Sequence, residues 1–127
     1  MTPIQIGDAY RAVLRLSNTV FPYAVARNIA KLKKRLEDEI DAVADAEKAI
    51  AAKYGGTFKR DGTIVIEDPE KGEKCADELN EFRLQDDDIK LPVVDLSKYV
   101  DSIRISPADV DALEGIVTFE KGEDKNG

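Results

Sequence analysis

The sequence predicts a helix-dominated α+β fold, and three observations carry that expectation. Pro22 and the pair Gly55-Gly56 bracket a stretch that holds no other proline or glycine. It reads as one long helix over about 22–54, because proline suits a first helical turn and glycine supplies a left-handed stop. Asp61-Gly62 stands between Thr57-Phe58-Lys59-Arg60 and Thr63-Ile64-Val65-Ile66. Asp-Gly readily adopts the positive φ angles of a primed turn, so this is a β-hairpin over about 57–67. Ser106-Pro107-Ala108-Asp109 joins a capping serine, a first-turn proline and an acid three residues after the cap, the start of a helix over about 107–114.

In chain order, Gly7-Asp8 followed by Ala9, Tyr10, Val13, Leu14 and Leu16 reads as an amphipathic helix over about 8–17, with Asp8 accepting from the open N–H groups of the first turn. Ser17-Asn18-Thr19 ends it. The long helix follows with an apolar stripe of Val25, Ile29, Leu32, Leu36, Ile40, Val43, Ile50 and Tyr54. The spacing stays near 3.6 residues per turn, which favours a straight rod over a supercoil. Ala42, Ala44, Ala46, Ala49, Ala51 and Ala52 make its second half thin-sided. The rod is roughly 50 Å long, whereas a compact chain of this size is roughly 36 Å across. It should protrude by about two to three turns, unless the domain is elongated or another subunit covers it.

Asp68-Pro69 opens a helix over about 70–84, with Cys75, Leu79 and Phe82 at helical spacing. Returning along the long helix, it would cover Ala52 back to Ile40 and bring Asp86-Asp87-Asp88 near Lys31 to Arg35. Leu91-Pro92-Val93-Val94 is extended, Ile103-Arg104-Ile105 alternates like a short strand, and Ile116 to Phe119 reads as a last strand. The hairpin edge either accepts a partner's strand or is already paired by one of the last two segments. Residues 1–120 read as one domain and residues 121–127 as a disordered tail.

Composition narrows the chemistry. The 127 residues include no histidine, no tryptophan and a single cysteine. Without histidine, the Ser/His and Cys/His nucleophile pairs and the standard zinc and non-haem iron sites are absent. Cys75 reads as a small buried helix residue. A net charge of −7 argues against general nucleic-acid binding, which needs excess lysine and arginine. No apolar run is long enough to span a bilayer, and Met1 to Asp8 lacks the basic and apolar blocks of a secretory signal. A cytoplasmic location is the default expectation.

Charge is the second organising feature. Residues 1–36 carry seven bases and one acid, a net +6, so the remainder carries −13. At 100° per residue, Arg27, Lys31 and Lys34 fall on one line opposite the apolar stripe, and the same line continues as Asp38, Asp41 and Asp45. Two copies of this face laid antiparallel would match bases with acids about a centre near Leu36. On that basis Leu36, Asp38, Asp41 and Asp45 are candidate oligomer-interface residues. Arg27, Lys31, Lys34 and Arg35 are candidate ligand- or partner-binding residues, for example for a nucleotide. A solvated face with local ion pairs and neutralisation by the returning acidic segment are the competing readings.

Other motifs carry little. Asp86-Asp87-Asp88 with Asp95 offers oxygen ligands for a hard cation, but consecutive extended side chains diverge, so no metal site is expected. Asp109 and Asp111 read as first-turn helix acids. Gly55-Gly56 follows a helix, where a phosphate-binding loop precedes one, and no nucleophile elbow is present. Tyr10, Tyr23, Tyr54 and Tyr99 are scattered and read as packing residues. No catalytic residue and no cofactor is expected.

The pattern resembles an uncharacterised family of short accessory proteins encoded by tailed bacteriophages. The matching segments are Ile6-Gly7-Asp8-Ala9-Tyr10-Arg11-Ala12-Val13, the charged helix ending Ala51-Ala52-Lys53-Tyr54-Gly55, the Asp-Gly hairpin, and Ile105-Ser106-Pro107-Ala108-Asp109-Val110-Asp111-Ala112-Leu113-Glu114. The resemblance implies a phage accessory protein and transfers no catalytic residues. Two functions stay open. One is host takeover or anti-defence, by occupying a host protein or sequestering a small anionic signal. The other is phage morphogenesis, with the long helix as an assembly surface. Both work by association, and a homo-oligomer is the expected state.

Overall fold

A computed structural model describes residues 1–61 and 63–120, so the expected tail at 121–127 and the Gly62 half of the hairpin turn lie outside the described residues. The architecture is a helical spine with two small clusters of packing along it.

Helix α1 (Pro3–Leu16) begins five residues before the Gly7-Asp8 start read from the sequence. The reason is a stronger cap upstream. Thr2 Oγ1 accepts from Gln5 N at 3.2 Å, and Gln5 Oε1 accepts from Thr2 N at 2.9 Å. With Pro3 at the first position, this is a complete capping box. Asp8 lies inside the helix and pairs with Arg11 one turn on. Gly7 therefore occupies a helix interior, where glycine is weak. A methyl group built there meets only the Arg11 guanidinium, at 3.5 Å. Gly7→Ala should raise the unfolding free energy by about 0.5–1 kcal/mol, read as a higher urea midpoint. Gly55→Ala should lower it by about 1–2 kcal/mol, because Gly55 holds a φ of +76°.

Helix α2 (Tyr23–Lys53) is a single unbroken helix of 31 residues. Its end is a two-bond glycine stop: Gly56 N donates to Ala51 O at 2.8 Å and Gly55 N to Ala52 O at 3.0 Å, the Schellman arrangement. Its apolar stripe faces inward along the whole length. Ile29, Leu32 and Leu36 are buried with Ile6, Ala9, Ala12, Val13 and Leu16 of α1, and Val25, Ile40 and Val43 pack against that core. Ile50, Ala51 and Tyr54 belong to a second, smaller cluster with Cys75, Leu79, Ile64 and Ile66.

The far end of the rod is therefore covered by its own chain, and the expected bare protrusion is corrected to an elongated, two-cluster body. Strands β1 (Thr57–Phe58) and β2 (Ile64–Val65) pair antiparallel, with Thr57 opposite Val65. The Asp61 carboxylate accepts from Thr63 N at 2.9 Å in the turn. Helix α3 (Pro69–Arg83), capped by Asp68, returns along the end of α2. Lys53 reaches Glu78 at 2.8 Å and Arg83 reaches Glu47 at 2.7 Å. Cys75 is buried.

Beyond α3 the chain crosses to α1, and among the described residues no ion pair joins Asp86 to Asp88 with Lys31 to Arg35; Lys34 and Arg35 pair with Asp38 and Glu39 instead. The Met1 ammonium pairs with Asp86 Oδ1 at 2.8 Å, and Asp87 N donates to Met1 O at 3.1 Å. Strands β3 (Val94–Asp95) and β4 (Val117–Thr118) pair parallel, with Val94 opposite Val117. The crossover between them is a 3-10 turn over Val100–Ser102 and helix α4 (Pro107–Ala112). The last strand thus pairs with β3, not with the hairpin. Ile103 to Ile105 forms no strand. Both isoleucines pack against the main core, so their alternation marks burial without a neighbouring strand to pair with. Val94, Leu96, Leu113, Ile116 and Val117 complete that core.

Candidate functional site

The outward face of α2 is the surface the sequence singled out. Packing of the apolar stripe fixes the helix rotation, so the opposite line must face solvent. Arg27, Lys31 and Lys34 are exposed, and so are Asp38, Asp41 and Asp45. Within this line Lys34 Nζ lies 3.6 Å from Asp38 Oδ1, a pair worth a few tenths of a kcal/mol at an exposed helix surface. Arg35 stands to one side, half-buried and paired with Glu39. It is held in a local ion pair and is not aligned with the other three bases.

Leu36 is corrected as an interface side chain. It is 0% exposed and sits in the main core of its own molecule. It marks the level along the helix where charge changes sign, while its side chain points the other way. Tyr23 is corrected in the opposite sense. Read as a packing residue, it is 79% exposed at the start of α2, beside Val20 at 95%. The other tyrosines do pack. Tyr99 meets Phe21 edge-on with ring centroids 5.8 Å apart. Tyr10 donates to Glu37 at 3.0 Å, which pushes its phenol pKa up. Tyr54 donates to Glu78 at 2.7 Å. Lys53 and Tyr54 together hold the Glu78 carboxyl below its ordinary pKa.

A feature the sequence did not announce lies between α1 and α4. Asp109 is only 4% exposed, and its Oδ1 meets Arg15 Nη1 at 2.5 Å while its Oδ2 has no hydrogen-bond partner. Asp109 is a first-turn acid, as its place after Ser106-Pro107 predicts: Ser106 Oγ accepts from Asp109 N at 3.2 Å. Its main partner, however, is on another helix. An open groove of about 1120 Å³ runs beside this pair, lined by Asp8, Arg11, Arg15, Lys90, Asp111 and Glu114 among others. Charges of both signs line it, so it presents no single-sign ligand field. The signal available was Arg15, a charge in the last turn of α1 beside the buried Leu16.

Among the described residues no group of three or more His, Cys, Asp or Glu side chains is placed to hold a metal ion. No helix there is long and apolar enough to cross a membrane. No family model, curated protein or solved structure matches the chain.

Proposed function

We propose that this chain is a non-catalytic binding protein that recognises a protein partner through the outward face of α2, in the manner of a phage accessory protein. The observation that carries this reading is the exposed line of Arg27, Lys31, Lys34, Asp38, Asp41 and Asp45 on one unbroken helix. Two internal clusters brace that helix from behind, so the line is presented on a fixed backbone and binding it costs little backbone ordering.

The same geometry ranks the alternatives. Sequestering a nucleotide calls for a concave site that encloses most of the ligand. Arg27, Lys31 and Lys34 instead lie along roughly 10 Å of a convex rod. A macromolecular partner matches such a row, whether a host protein or a component of an assembling particle.

Two measurements test this. Thermal unfolding in the presence of ATP, GTP and cyclic dinucleotides should show no saturable shift. A ligand at a hundred times its Kd would add about 2.7 kcal/mol, which is easily seen. A shift abolished by Lys31→Glu with Lys34→Glu would move the function to small-anion sequestration. Photo-crosslinking residues at Ala30 and Ala42, exposed flanks of the line, should give discrete protein adducts that the same double variant removes. A crosslinker at exposed Ala76 of α3 should give none. Equal adducts from all three positions would sink the assignment.

A further inference from the structure

We infer that the partner of the α2 face is a second copy of this chain, docked antiparallel about a two-fold axis at the level of residue 36. This rests on the reading that the face recognises protein, and it names which protein.

The charges on α2 define a register. Arg27 and Asp45, Lys31 and Asp41, and Lys34 and Asp38 are each symmetrically placed about position 36. One two-fold operation therefore sets all three bases opposite all three acids, and symmetry makes each contact twice. All six side chains are exposed on the same face, within about 40° of the line opposite Leu36 at 100° per residue. A parallel pairing in register would set like against like at every position, so the pattern selects against it.

The ends of the same register carry an independent match. Position 23, the first residue of α2, falls opposite position 49 of the second copy. Tyr23 and Val20 are the two most exposed large apolar residues of the described chain, and Ala49 and Ala52 are exposed, small side chains. A tyrosine laid over alanines is a well-formed anchor, apolar in its body and wet at its hydroxyl. The contact thus has an apolar anchor at each end and a charge-matched centre. The Lys34–Asp38 pair within one chain, at 3.6 Å, does not oppose this, because both side chains are mostly exposed and free to share a second partner.

Sedimentation of the full chain tests the assignment. A reversible dimer is expected at about 50 mM salt, weakened roughly tenfold at about 500 mM as screening shortens the reach of the charges. Lys31→Glu with Lys34→Glu should be monomeric, and so should Asp38→Lys with Asp41→Lys. Mixed together, the two variants should form a heterodimer, because every reversed base then meets a reversed acid. Tyr23→Asp should weaken association at both salt levels. All substituted positions are exposed, and circular dichroism verifies that each variant is folded. A wild-type monomer at every salt and concentration, or two variants that fail to pair when mixed, overturns the dimer. Adducts from Ala30 and Ala42 to a different protein would then leave the recognition reading standing. Their absence as well would remove both.

Discussion

Leu36→Ala should lower the unfolding free energy by about 3 kcal/mol, within the range for removing a buried leucine side chain. Leu36 is among the largest fully buried side chains, in the same core as Leu32, Ala9, Ala12, Val13 and Leu16. The alanines on α1 let the two helices approach closely, which leaves little slack to fill the space that a truncated leucine vacates. Against a total stability of about 5–15 kcal/mol for a domain of this kind, such a loss is readily measured by urea unfolding. Lys34→Ala, two positions away on the exposed face, should change stability by no more than about 0.5 kcal/mol. The pair of variants separates the two sides of one helix. Folded Leu36→Ala protein should associate as the wild type does, since the side chain is remote from the charged line. A loss under about 1 kcal/mol for Leu36→Ala would mean that this stripe is not the packed side, and the orientation of the charged face would fall with it.

That the helix rotation could be read at all follows from local chemistry. Pro22, Gly55-Gly56 and the stripe from Val25 to Tyr54 are each sufficient signals of a start, a stop and a buried side, and α2 obeys all three. Asp68-Pro69 and Ser106-Pro107 likewise set their helix starts within the reach of a single turn, and both helices begin there. The error at α1 is of the same local kind. Thr2-Pro3 with Gln5 is a better cap than Gly7-Asp8, and one interior glycine costs only about 0.5–1 kcal/mol, too little to stop the helix.

What stayed hidden depends on contacts distant in sequence. The partner of Ile116 to Phe119 was settled by a parallel crossover from Val94, and two-residue strands carry too little pattern to choose a neighbour. The length of the rod suggested a bare end, but a second cluster built from Cys75, Leu79, Ile64 and Ile66 covers it. Tyr23 shows the converse. An aromatic at the first turn of a helix has an ordinary composition, and only the packed structure reveals that the described residues leave it 79% exposed. The charge line itself was legible residue by residue, because it lies opposite a stripe that had to be buried.

Arg15→Ala should cost more stability than Asp109→Ala, although Arg15 is the more exposed partner, at 53% of its side chain against 6%. The asymmetry comes from what each deletion leaves behind. Without Arg15, the Asp109 carboxylate stays buried with neither oxygen paired, and removing one partner of a buried ion pair typically costs about 3–5 kcal/mol. The half-exposed guanidinium is already partly screened by water, so the lower value, about 2–3 kcal/mol, is expected here. Without Asp109, the arginine turns into solvent, and the unpaired Oδ2 disappears along with its desolvation penalty. The helix loses one first-turn acid, worth about 0.3–1 kcal/mol, so Asp109→Ala should cost about 1 kcal/mol or less. The double variant should match Asp109→Ala, which makes the coupling between the two sites nearly the whole Arg15 effect. Hydrogen exchange should locate the damage. The pair ties α4 to α1, and α4 lies in the crossover between β3 and β4. Amides of residues 107–118 should therefore lose protection in Arg15→Ala before those of α2 do. Equal and small costs for the two single variants would show that water already screens the pair and that α4 is held by Leu113 and its apolar neighbours alone.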